Sequence, residues 1–224
     1  MRQLILVGGI FHDFNSTSEA LTGVLDDYGF ATRIEEDIEH GLASLERSPV
    51  DLLTINALRW EMQGQKYDPY RDEWAMQLSL AGQQAIENHL ARGGALLALH
   101  TASICFSNWR GWRNILGGAW SWGESWHPAP EPVSVTPTSH ALVADIPPFL
   151  VTDELYSNLE MLDGNEVLSY GTSESQLSKQ PLMWLREHGG GRVVYDSLGH
   201  DCSSVEQTEH AEILRRAVKW ALQK

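Results

Sequence analysis

The sequence predicts an α/β fold with a mainly parallel central sheet and helices on both faces, and three observations lead to it. Strand-length apolar runs alternate with segments of helical period from the first residues onward, the order that builds parallel sheets. Leu4-Ile5-Leu6-Val7 and Ala95-Leu96-Leu97-Ala98-Leu99 are apolar throughout, as strands covered on both sides must be. The glycine pairs Gly8-Gly9 and Gly93-Gly94 punctuate those runs, one after the first strand and one before the other.

In chain order, residues 4–7 form the first strand. Ala20, Leu21, Val24 and Leu25 then give residues 17–28 one apolar helical face. Residues 30–35 read as a second strand, 38–45 as a short helix and 50–58 as a buried third strand. Residues 59–72 are a charge-rich insertion broken by Gly64 and Pro69. A long helical pattern over 73–92 stops at Gly93-Gly94. The strand that follows opens into the small-residue turn His100-Thr101-Ala102-Ser103. Residues 102–131 hold five tryptophans and little periodicity, which predicts a functional loop or lid. Strand-like runs follow at 133–135, from Asp153 onward, and at 166–170, 183–185 and 191–198. Gly189-Gly190-Gly191 makes a hairpin turn between the last two. An amphipathic helix over about 205–222 closes the chain, and residues 1–224 are read as one domain.

Composition narrows the function classes. The net charge of -14 excludes nucleic acid and anionic membranes as partners, because both require basic surfaces. No apolar stretch is long enough to span a bilayer. The apolar run near the N-terminus is too short for a signal peptide, so the expected location is the cytoplasm. Cys105 and Cys202 are too few for a disulfide framework or a Cys-rich zinc site. The expected partner is a small neutral molecule. Five of the nine tryptophans crowd between Trp109 and Trp126, offering faces on which a sugar ring can stack. Exposed indoles are equally what a homo-oligomer interface uses.

The chemistry-bearing residues fall at strand exits, the edge of an open α/β sheet where ligands bind. His12-Asp13 follows the first strand, His100 the fourth, and His200-Asp201 the late strand. Glu154 sits in Asp153-Glu154-Leu155-Tyr156, while His127 and His140 lie in irregular chain. His100 occupies an elbow of the kind on which hydrolases present a nucleophile, but an imidazole serves there as base, acid or metal ligand. His100, His200, Glu154 and His12 are therefore the candidate catalytic residues, through general acid–base chemistry or as ligands of a divalent metal such as zinc. Such a metal site is assembled from distant segments, since no compact metal motif is present. Asp13, Trp126, His127, His140 and Tyr156 are the candidate substrate contacts. Asp13, Asp153 and Asp201 also suit helix or turn caps. His40, His89, His188 and His210 stand in helical or turn contexts and carry no assigned role.

At these residues the chain resembles the trehalose-utilisation (ThuA-like) family of the class I glutamine amidotransferase-like superfold. The matching pieces run in order: Gly8-Gly9 to His12-Asp13, Gly93 to His100, Leu116-Gly117-Gly118, Trp126-His127-Pro128, Ser139-His140 to Ile146-Pro147, Asp153 to Tyr156, and Gly191 to His200. Ala141 stands where the family usually has proline. The resemblance implies a flavodoxin-like three-layer sandwich. It places His100 where amidotransferases carry their nucleophilic cysteine and His200 near their triad histidine, so glutamine hydrolysis is not expected. It further implies a role in carbohydrate metabolism, on trehalose, a related disaccharide or a keto-sugar, either as an enzyme or as a sugar-binding protein that lost the nucleophile.

Overall fold

Nine strands join in a single sheet ordered β2-β1-β3-β4-β11-β10-β9-β6-β7 in the computed structural model, which describes residues 1–223. The chain runs β1 (Arg2–Gly8), α1 (Phe14–Val24), β2 (Ala31–Glu35), α2 (Ile38–Ser44), β3 (Leu52–Ala57), α3 (Asp68–Trp74), α4 (Leu80–Ala91) and β4 (Ala95–Leu99). It continues through α5 (Arg110–Leu116), β5 (Gly118–Ala119), β6 (Glu131–Pro137), β7 (Phe149–Asp153), β8 (Glu160–Met161), β9 (Glu166–Thr172), β10 (Gln180–His188), β11 (Gly191–Asp196), α6 (Cys202–Glu206) and α7 (Thr208–Leu222). β5 and β8 form a separate two-stranded ribbon.

The five strands from β2 to β11 are mutually parallel, in the 2-1-3-4-5 order of flavodoxin-like sheets. Beyond β11 the sheet turns antiparallel through β10, β9, β6 and β7. Alternate residues of a strand feed opposite faces. In β1, Ile5 and Val7 join the layer packed under α1 and α7, while Leu4 and Leu6 join the layer under α2, α4 and α5. The polar residues of buried β3 are satisfied from within. Thr54 accepts from Gln3 at 3.1 Å, and the Asn56 amide donates to Thr17 and Ser18 at 2.8 and 2.9 Å. No helix among the described residues is long and apolar enough to cross a membrane.

Three local expectations need correction. The helical pattern over 73–92 is two helices, because Ala75 is extended at the end of α3 and Ser79 caps α4 through Gly82 N–H. Between them Met76 N–H bonds to Trp60 O and Leu78 N–H to Asn108, so the segment is tied to neighbouring loops instead of coiling. Residues 102–131 contain a true helix, α5, which buries Trp112, Ile115 and Leu116 at helical spacing and ends on left-handed Gly117. The strand read as beginning at Asp153 ends there, leaving Glu154 to Tyr156 in irregular chain.

Candidate active site

The exits of β1, β4, β7 and β11 deliver four side chains to one point. His12 follows β1, His100 follows β4, Glu154 follows β7 and His200 follows β11. Their ligand atoms all lie within 4.8 Å of one another. Glu154 Oε2 is the hub, 3.3 Å from His100 Nε2, 3.5 Å from His200 Nδ1 and 3.7 Å from His12 Nε2. His127 brings Nδ1 to 3.4 Å from the same oxygen. The site opens beside the junction of β1 and β3, where the strand order reverses and open α/β sheets bind ligands.

The backbone dictates which atoms face the hub. His100 Nδ1 donates to Ser197 O at 2.6 Å and His12 Nδ1 to Ile10 O at 3.2 Å, so both rings turn Nε2 inward toward Glu154. Those two nitrogens, His200 Nδ1 and Glu154 Oε2 are buried without hydrogen-bond partners. Buried polar atoms are seldom left so, and four aimed at one place could hold a metal ion. Metal–nitrogen bonds of about 2.0–2.1 Å set neighbouring corners of a tetrahedron roughly 3.3–3.4 Å apart, close to the spacings around Glu154. Imidazoles fixed through the other ring nitrogen on a carbonyl are the usual support of such ligands.

The four groups also act on one another electrostatically. Burial pushes the Glu154 carboxyl up, but His100, His12 and His200 outweigh it and hold the group well below the carboxylate range. Burial lowers His12, and Glu154 raises His200.

His100 adopts φ +44, the left-handed region that non-glycine residues rarely enter. Strain of this kind persists only where the surroundings over-determine it. Tyr195 Oη donates to His100 O at 2.8 Å, Thr101 Oγ1 donates to Ala57 O at 2.7 Å, and Trp112 Nε1 donates to Ala102 O at 2.8 Å. Cys105, five residues beyond the elbow, is buried, and that burial pushes its thiol up to about 12. It donates to Ala57 O at 3.0 Å, as a packed thiol does.

A cavity of about 330 Å³ opens over the cluster. Trp60, Trp120, Trp122, Tyr67 and Tyr156 line it along with His12, His127 and Glu154. Tyr156 packs its ring on His100 at 4.5 Å, and Trp120 buries an Nε1–H that has no partner. His127 Nδ1 sits 2.9 Å from Pro128 O and 3.4 Å from Glu154 Oε2, two acceptors for a proton on Nδ1.

Not every residue singled out in the sequence arrives here. Asp13 caps α1, accepting from Ser16 N–H at 3.0 Å. His140 stands in the turn that leads into β7, at the opposite end of that strand from Glu154, and pairs with Glu166 at 3.0 Å. Trp126 bridges to Ser157 through its backbone, and Trp120 and Trp122 supply the cavity walls instead. Sequence reasoning missed Trp60 and Tyr67 as lining residues, since an aromatic in irregular chain shows no direction. It also missed Asp153. That buried carboxylate accepts from Gly199 N–H at 2.8 Å, His200 N–H at 3.4 Å and the Ser204 hydroxyl, tying the Glu154 segment to the His200 loop. His210, given no role, is buried 2.7 Å from Asp196.

Comparison with known proteins agrees with the fold and the resemblance. The family model described as trehalose utilisation (ThuA) matches residues 4–221. A ThuA-like protein from Parabacteroides merdae superposes with TM-score 0.76 at 17% identity, covering 100% of this chain and 90% of that one. A cytoplasmic protein from Salmonella typhimurium LT2 gives 0.65 at 13%, covering 98% and 99%. A β-galactosidase from Rahnella sp. R3 gives 0.60 at 14%, covering 98% of this chain and 31% of the other. No curated protein matches in sequence.

Proposed function

The chain belongs to the trehalose-utilisation (ThuA) family, and from that premise we propose that it is a metal-assisted enzyme of cytoplasmic carbohydrate metabolism. Its substrate is trehalose, a related disaccharide or a keto-sugar derived from one. The observation that carries this reading is the set of four buried, unpartnered donor atoms converging beneath an aromatic cavity. His12, His100, His200 and Glu154 would hold a divalent cation such as zinc. When bound, such a cation would supply Lewis acidity toward a substrate oxygen, for which one of the four side chains must give way or the coordination number rise.

The remaining groups bind and move protons. Trp60, Trp120 and Tyr156 present apolar faces and edges to the sugar ring. His127 takes and returns the proton at Nε2, because Nδ1–H is held by Pro128 O and Glu154. The buried thiol of Cys105 plays no nucleophilic part.

The test is metal analysis of protein purified without a histidine tag, coupled to turnover of oxidised and unoxidised disaccharides. About one equivalent of metal is expected from a site with a full ligand set, and chelation should abolish turnover. Metal-free protein whose activity ignores chelators overturns the assignment. Metal-loaded protein that binds sugar without changing it would instead be a sugar-binding module.

A further inference from the structure

A second cavity, of about 370 Å³, neighbours the first, and both count Trp60 and Trp122 among their lining residues. The two indoles stack with centroids 6.2 Å apart and planes 29° apart. Beyond them the outer cavity is lined by Glu61, Gln63 and Ser107, a carboxylate, an amide and a hydroxyl. Trp122 is 53% exposed, an unusual position for so large an apolar side chain.

The walls of this outer cavity are held rather than loose. Glu61 accepts from Gln77 at 2.6 Å on one carboxylate oxygen, which orients the group. Met62 at φ +51 and Phe106 at φ +55 are non-glycine residues in the left-handed region, next to Glu61, Gln63 and Ser107. Phe106 N–H donates to Arg59 O at 2.9 Å, joining the two loops that carry the polar residues. Strained backbone held in place on both sides is characteristic of binding loops.

We propose that this outer cavity is a subsite for the second ring of a disaccharide whose first ring occupies the cavity over the histidine cluster. The proposal rests on the carbohydrate reading above and adds residues that select two rings over one. The C–H-bearing face of a pyranose suits the negative face of an exposed indole, which Trp122 offers. Its hydroxyls need a mixture of donors and acceptors around the rim, which Glu61, Gln63 and Ser107 offer. A pocket near 300 Å³ is the lower bound for small ligands, so each cavity suits one ring and the pair suits two.

The experiment is calorimetric titration of the zinc-loaded full-length protein with trehalose and with methyl α-glucoside, the single-ring control. Trehalose should bind more tightly than the glucoside. Combining Gln63→Ala with Ser107→Ala removes two exposed polar groups found only in the outer cavity, and should weaken trehalose binding by about tenfold. The glucoside affinity and the zinc content should not change. Equal affinities for the two sugars in wild type, or an equal loss for both in the variant, overturns the outer subsite alone. Failure of the zinc-loaded wild type to bind either sugar overturns the carbohydrate reading beneath it.

Discussion

His100 combines a strained backbone with an imidazole whose Nε2 faces Glu154 at 3.3 Å. Removing the support of a metal ligand typically costs about 10–100-fold in metal affinity, so His100→Ala, which removes the ligand itself, should cost more than about 100-fold. Competition with a chromophoric chelator measures this, and an unchanged affinity would remove His100 from the ligand set. Asp153→Asn keeps one acceptor oxygen but places an amide against the Gly199 and His200 N–H groups. It should weaken metal binding by about 10–100-fold while leaving the far-ultraviolet circular dichroism unchanged. The three hub histidines were readable from sequence because each follows a strand, and a parallel sheet gathers its strand exits along one edge; Glu154 joins them from a segment read as the start of a strand and found to be the exit of one. Asp153 was not readable as a support, since its acceptor role depends on a loop 46 residues away. Asp13 and His140 misled because a polar residue beside a strand also serves to cap a helix or pair across a turn.

At the level of elements, β11 and α7 are joined by the buried Asp196–His210 pair. His210 Nε2 meets Asp196 Oδ2 at 2.7 Å and Nδ1 donates to Ser204 O at 2.6 Å, so both nitrogens carry protons. Burial lowers His210, but Asp196 outweighs it and raises the group above its ordinary 6.5. A raised folded value means that this stabilisation is complete below pH 6.5 and is lost as pH climbs through the folded value. His210→Gln leaves a buried carboxylate without its counter-charge and should cost about 3–5 kcal/mol at acid pH. Denaturant unfolding of both proteins across the pH range should show the difference shrinking toward alkaline pH; a difference that grows would mean His210 is buried neutral. Nothing in the sequence pointed to this pair, because a histidine at the start of an amphipathic helix looks the same whether or not a carboxylate waits on a neighbouring strand.

For the whole molecule, the parallel half of the sheet was the part written most clearly in the sequence, since continuous apolar strands and intervening helices leave few other arrangements. The antiparallel half was less so. β6 and β7 alternate buried and exposed residues, and short alternating runs fit many pairings. The exits of four strands meet at the candidate metal site, so occupancy should stabilise the fold globally. Metal at about 100 times its Kd adds roughly 2.7 kcal/mol. For a chain of this length, that corresponds to a melting temperature about 5–10 °C above that of chelated protein. Scanning calorimetry with and without chelator measures the shift, and coincident transitions would contradict the site.

His12 and His200 meet although they stand near opposite ends of the chain. Contacts between such distant residues complete late, after slow closure of a very long loop. A ligand set that becomes whole only past the folding barrier binds the native state far better than the transition state. Such binding slows escape from the native state without hastening arrival. Refolding after rapid dilution should therefore run at one rate with or without zinc, while unfolding in denaturant slows as zinc is added: the ion acts on the lifetime of the folded chain and not on its formation.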